Sequence, residues 1–329
     1  MKALVYTAEK TLEYMDFADP TPGEGDVLIQ IESVGICGSD MHAFLGHDER
    51  RPAPLILGHE AAGTIMTGPQ KGQRVTINPL VSCGKCEFCL QGRNNICENR
   101  QIISMPPREG GFAQMISMPV GNLVNVPDHV PLEKAALAEP IGCGWHAVQL
   151  AKKNSHKPIE ECKALAIGGG AIGLGAALCL KAAGCADVTI VEANEVRRNF
   201  VIEKTGLNAI APEELSGESN FDVIIDGVGI NATRKSASAQ IKPGGTIVHI
   251  GLGDARDGLD IRRMTLQEIT FIGSYTYTHR DFIDTAEAIF DGRLGDLTWT
   301  EKRPLSDGQK AFEDILAGQV AAPKIILKP

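Results

Sequence analysis

Short, predominantly apolar runs recur at helix-length intervals through the middle of the chain, at residues 164–167, 188–191, 223–225, 247–250 and 269–272. Near-continuous apolar strands belong to a parallel sheet covered on both faces. A doubly wound α/β domain is therefore predicted over residues 145–278. The first 143 residues read differently, with many Gly and Pro breaks around short β-type runs such as 27–31 and 74–77. That texture predicts a β-rich domain with long loops. Near the end, 282–290 has helical periodicity and 324–327 reads as a terminal strand. No internal repeat or low-complexity tract interrupts the pattern.

Composition agrees with two folded units, since 329 residues correspond to about two domains at ~150 residues each. With 43% hydrophobic and 22% charged residues there is no compositional case for disorder. The formal charge of −9 disfavours nucleic acid and anionic membrane surfaces as partners. The N-terminus turns polar too early for a secretory signal, and no apolar run approaches the ~18 residues of a membrane span. A reducing cytoplasm is the expectation, and there the nine cysteines read as metal ligands before disulfides.

Four of them, Cys83, Cys86, Cys89 and Cys97, form a C-x2-C-x2-C-x7-C pattern, matching a closed tetrahedral structural zinc site. An iron–sulfur cluster is the rival, but its bacterial run ends in x3-C-P, whereas here the last gap is seven and Glu98 follows. Downstream, the run 164–167 leads into Gly168-Gly169-Gly170-Ala171-Ile172-Gly173 and then a helix-like stretch to 183. This is a G-x-G-x-x-G dinucleotide turn in its required strand-to-helix context. Gly168 permits the turn, Gly170 admits a pyrophosphate, and Gly173 allows close packing. Glu192 ends the next run at the position where an acid binds the ribose hydroxyls, which favours NAD over NADP. Arg197 and Arg198 leave NADP open as an alternative. Val228 and Gly251 end later strands, where ligands bind at the carboxyl edge of open sheets.

Cys37, in Cys37-Gly38-Ser39-Asp40-Met41-His42, and the His59-Glu60 pair supply thiolate, imidazole and carboxylate, a donor set suited to catalytic zinc. On spacing alone a buried Cys and an N-capping His-Glu are as good a reading.

With the C-G-S-D-x-H, G-H-E, four-cysteine, Ala138-Glu139-Pro140 and Gly-rich motifs in this order, the sequence resembles the zinc-dependent medium-chain alcohol and polyol dehydrogenases, on the sorbitol and threonine dehydrogenase side. The resemblance spans essentially the whole chain. It implies a GroES-like catalytic domain from 1–144 and 279–329, around a Rossmann domain at 145–278. It implies two zincs per chain, with the catalytic one on Cys37, His59 and Glu139, and Glu60 either binding zinc directly or sitting behind it. The reaction it implies is hydride transfer from a secondary alcohol or polyol to NAD through a zinc-held alkoxide. Ser39 and His42 are then the proton relay, and Asp40 orients the His59 imidazole. An NADPH-dependent carbonyl reductase of the same superfamily is the alternative, and a non-catalytic dinucleotide-binding zinc protein is the reading from another class. A homodimer or homotetramer joined through Rossmann edge strands is also implied. Cys143, Cys162, Cys179 and Cys185 carry no chemistry in this alignment. Ala43 and Thr276 stand where sorbitol dehydrogenases commonly have tyrosine and arginine, although Tyr277 is retained, so part of the polyol contacts of that branch is missing. Phe44, Met105 and Trp145 are the candidate pocket residues.

Overall fold

The computed structural model describes residues 1–215, 217 and 220–329. Its central feature is a six-stranded parallel sheet, ordered Asn208–Ile210, Asp187–Val191, Lys163–Ile167, Phe221–Asp226, Ile241–His249, Thr270–Gly273. In chain order this is 3-2-1-4-5-6, the doubly wound arrangement, with its switch point between Lys163–Ile167 and Phe221–Asp226. The apolar runs form its interior because helices cover both faces. Ala164, Leu165, Ala166, Ile224, Ile225 and Ile247 are completely buried. The edge strand Asn208–Ile210 has no distinguishing run in the sequence; it exists because its backbone pairs with Thr189–Val191.

The second unit is built from both ends of the chain. The long strand Asp26–Gly35 pairs with Glu60–Ile65, with Met115–Pro119 and, in antiparallel register, with the last strand, Lys324–Lys328, so that Leu327 faces Val34 and Ile326 faces Gly35. A seven-stranded sheet results, with a three-stranded sheet of N-terminal strands beside it. Its core includes Leu4, Ile29, Val34, Ile56, Phe112, Phe312 and Leu327.

The expected domain limits meet two structural facts. Helix Ala138–Asn154 runs unbroken through position 144, its first turn carrying Glu139 beside His59 and Glu60 while Ala147, Val148 and Ala151 pack into the parallel-sheet core. Helix His279–Phe290 buries Phe282, Ala286 and Ile289 in that same core, joined by Leu294 and Trp299. Residues 279–299 thus pack with the sheet domain, and only the strands from Thr300 onward return to the β-rich unit. Among the described residues no helix is long and apolar enough to cross a membrane.

Candidate active site

The cleft between the units is a cavity of ≈ 320 Å³ whose lining includes Cys37, Gly170, Glu192, Arg197, Val228 and Lys324. One wall therefore comes from the C-G-S-D motif and the other from the Gly-rich turn.

On the sheet side, Gly168 has φ +101°, and a Cβ there would stand 2.7 Å from Val228 Cγ2. A Cβ on Gly173 would lie 1.9 Å from the Gly168 carbonyl oxygen, so helix Ala171–Ala182 can approach the strand only with glycine there. Gly170 faces open space and caps that helix. Free backbone amides at a helix start beside an open face are a cradle for phosphate. Ile172 also lines the cavity. Glu192 is fixed by two charge-assisted bonds, its Oε2 accepting from Gly169 N and its Oε1 from Asn194 N, both at 2.7 Å. Arg197 shares the cavity, and its Nε is buried without a hydrogen-bond partner. Gly251 packs on Val228 and Gly229 and donates its N–H to Asp226 O at 3.0 Å. Asp226, completely buried, also accepts from Val228 N, Gly229 N and Thr233 Oγ1, and so shapes the turn beside Val228.

On the other wall, Cys37 caps the short helix Gly38–Phe44. The ligand atoms of Cys37, His59 and Glu60 all lie within 4.8 Å of one another. Glu139 is not in that trio. It sits in the first turn of Ala138–Asn154, with Oε1 accepting from Tyr277 Oη at 2.8 Å. Glu60 is completely buried and pairs through Oε1 with Lys324 Nζ at 2.6 Å, while its Oε2 is buried and unpartnered. Burial pushes the Glu139 carboxyl up to about 7, with the Glu60 charge adding to it and His59, Tyr277 and Lys324 opposing. Burial lowers the affinity of His59 for a proton, but the charges of Asp40 and Cys37 outweigh it and hold its pKa above the usual value. Two buried carboxylates and a thiol beside one imidazole and one lysine form a site rich in negative donors, costly to bury uncompensated. A divalent cation would offset that excess and give the orphaned Glu60 oxygen a partner, so the residues fit a metal. A closed four-ligand set is not what they form, since the cluster opens onto the cleft.

Asp40 is completely buried and lies 3.5 Å from His59 Nδ1, accepting also from Cys37 N and Gly58 N. Burial raises its pKa, but His59 and Arg51 lower it further, and it stays below the usual carboxylate range. Ser39 Oγ is 3.5 Å from His59 Nε2. His42 lies one turn on in the same helix and is exposed.

The four cysteines form a separate lobe. Cys83 and Cys89 sulfurs are 4.0 Å apart, Cys86 and Cys89 3.5 Å, and Cys97 Sγ accepts from Cys83 N at 3.4 Å. Four thiolates around zinc at ~2.3 Å would stand about 3.8 Å apart, so this donor set fits as well. Backbone N–H groups of Lys85 and Cys86 bring Cys83 down to about 6, while burial and neighbouring thiols push Cys89 up to about 11.

Three pocket candidates fare unevenly. Phe44 is core, 5.1 Å from the Phe312 ring, because the buried face of its helix turns inward. Trp145 packs on the sheet-domain core beneath Arg293. Met105 is half-buried in the loop after Ser104. Cys143, Cys162, Cys179 and Cys185 are all buried in the sheet-domain core. Two residues that the sequence places only at a terminal strand and at a later strand's end also shape the site, Lys324 through Glu60 and Asp226 through the turn beside Val228.

Comparison with known proteins gives two family models, the alcohol dehydrogenase GroES-like domain over residues 23–128 and the zinc-binding dehydrogenase over 171–291. The L-galactonate-5-dehydrogenase of Escherichia coli (strain K12) is 32% identical over 95% of this chain and 94% of its own length. The sorbitol dehydrogenase of Arabidopsis thaliana is 30% identical over 82% of this chain and 78% of its own. Among solved structures, acetophenone reductase from Geotrichum candidum in complex with NAD superposes with a TM-score of 0.88 at 28% identity, covering 100% of this chain and 97% of the other.

Proposed function

The chain belongs to the zinc-dependent medium-chain alcohol and polyol dehydrogenase family, an oxidoreductase family acting on CH–OH groups, and from that premise we propose that it oxidises a secondary alcohol, polyol or sugar acid with NAD in the cleft between its two units. One observation carries the reading. The same ≈ 320 Å³ cavity is lined by Cys37 and by the Gly-rich turn, so a metal-held alcohol and a nicotinamide ring would share one space.

Zinc on Cys37, His59 and a carboxylate oxygen of Glu139 or Glu60 would act as a Lewis acid that makes an alcohol hydroxyl more acidic. The cofactor carries the redox chemistry. The chain's own residues supply the rest. Ser39 Oγ, beside His59 Nε2, takes the hydroxyl proton and hands it towards exposed His42, one helical turn away. Asp40 fixes the imidazole so that Nε2 faces the cleft. Gly168, Gly170 and Gly173 admit the pyrophosphate at a helix start, and Glu192 holds the ribose hydroxyls. Tyr277 restrains Glu139, and Lys324 restrains Glu60, each through Oε1.

NAD is preferred over NADP in this reading because Glu192 presents a carboxylate where a 2′-phosphate would sit. Arg197 in the same cavity is the observation favouring the NADPH-linked alternative. The four-cysteine lobe holds a second, structural zinc. A reducing cytoplasmic setting is supported by cysteines grouped as metal ligands, and a homodimer or homotetramer by the edge strand Thr270–Gly273, where Phe271 is exposed. Turnover of a panel of polyols, aldonates and secondary alcohols with NAD and with NADP tests substrate class and cofactor together. Reduction of NADP alone would replace the NAD reading with the alternative.

A further inference from the structure

Ser104 is completely buried, lies outside every motif described above, and has φ +67°. A non-glycine residue in the left-handed region is held there at a cost and persists only where its surroundings impose it; such residues concentrate at functional sites. Here the surroundings are identifiable. Arg51, 3% exposed, donates from Nε to the Ser104 carbonyl oxygen at 3.1 Å. Its own guanidinium is held by Asp48 through Nη1. Pinned in this way, the Ser104 hydroxyl stands 3.4 Å from His59 Nδ1, as near as Asp40 at 3.5 Å. On the far side of the ring, His59 Nε2 faces Ser39.

Resting on the reading of His59 as a metal-holding imidazole, we infer that Ser104, locked by Arg51, is a positioning residue for that ring. A metal on Nε2 requires the proton on Nδ1, and an acceptor at Nδ1 fixes both tautomer and ring plane. Asp40 gives Nδ1 one acceptor, and the Ser104 hydroxyl gives it a second, set by a strained backbone rather than by a second charge. Asp48, Arg51 and Ser104 thus form a chain from the surface loop after His47 to the ring. The left-handed conformation is what this placement requires.

Glycine separates the two roles of Ser104, because it adopts φ +67° without penalty yet lacks the hydroxyl. The test follows zinc release to a chromogenic chelator from the zinc-loaded full chain, as wild type, S104G, R51M and H59Q, with melting temperature measured in parallel. H59Q retains only the four-cysteine zinc and so identifies the release phase of that lobe. For S104G the other phase is expected about 10-fold faster, at the lower end of the range for partners of metal-bound histidine, while the melting temperature is no lower than wild type. In S104G the Nδ1 proton resonance of His59 also shifts. R51M moves release in the same direction by freeing the Ser104 carbonyl. An unchanged release phase and an unchanged His59 resonance in S104G overturn the inference and leave the site reading intact. Retention of both zincs by H59Q would instead overturn the site reading, and the inference with it.

Discussion

In the cysteine lobe, four like donors lie within 4.8 Å of one another, on a loop whose short helix Glu87–Leu90 buries no side chain. In the cleft, one thiol and one imidazole share a buried space with two glutamates and a lysine, and the space opens towards a dinucleotide turn. We read the contrast as two uses of the same metal chemistry. A metal closed in by four identical ligands would contribute to folding. A metal on mixed ligands of unequal charge, two of them restrained by Tyr277 and Lys324, would leave room for a substrate oxygen and contribute to the reaction.

The largest predicted effect breaks the cleft and spares the lobe. His59→Gln should lower kcat/KM by roughly 10³-fold, the loss expected when several kcal/mol of Lewis-acid stabilisation disappear, with zinc content falling from two to one per chain. Metal analysis alongside steady-state kinetics checks both numbers. Next comes the converse, Cys89→Ser, for which calorimetry should find the melting temperature lowered by about 10 °C, or ~3 kcal/mol at this domain size, while the surviving folded enzyme keeps its kcat. A kcat that collapses at unchanged stability would mean the lobe, too, serves the reaction. Ser39→Ala is expected to cost about 10²-fold in kcat at neutral pH, the lower range for positioned proton transfer, with relief at alkaline pH where solvent base substitutes. Glu192→Gln removes a charged acceptor and should lower kcat/KM for NAD by about 10-fold, shifting preference towards NADP and leaving zinc content unchanged.

The smallest effect concerns acid stability. Burial raises the pKa of Asp48, but hydrogen bonds and charge from Arg50 and Arg51 bring it down to about 2. A group whose pKa is depressed on folding adds stability above its unfolded value, near 4, and loses it as pH falls towards the folded value. Asp48→Asn should therefore cost ~1 kcal/mol at neutral pH after solvent screening, with the difference from wild type vanishing between about pH 4 and pH 2. Denaturant titrations across that range measure it.

Much of this contrast is legible in the amino-acid sequence. Residues 164–167 and 188–191 announce parallel strands because both faces are buried, and Gly168 to Gly173 announces the turn because Gly168 and Gly173 each answer a steric demand. Cysteine spacing exposed the lobe for the same reason, as a short loop can place four thiols together with little help. The cleft was harder to read. Cys37 is separated along the chain from the adjacent His59 and Glu60, and the pairing of Gly35 with Glu60 across neighbouring strands brings it to them. Glu139 was predicted as a ligand, yet the tyrosine that restrains it comes from residue 277, far along the chain. Ser104 and Arg51 gave no signal, since a left-handed φ and a guanidinium reaching a carbonyl are properties of the folded backbone. Position 144 carries no break in the pattern because helix Ala138–Asn154 runs through it with unbroken periodicity.

The most direct test of the account follows NADH formation by the zinc-loaded protein with the alcohol, polyol and aldonate panel, in wild type and His59→Gln side by side. The account predicts that wild type reduces NAD with at least one of these compounds, and that His59→Gln, folded and still carrying its lobe zinc, does so at least about 10³-fold more slowly. Equal rates in the two proteins, or no reduction of either nicotinamide cofactor by wild type holding two zincs, would contradict it.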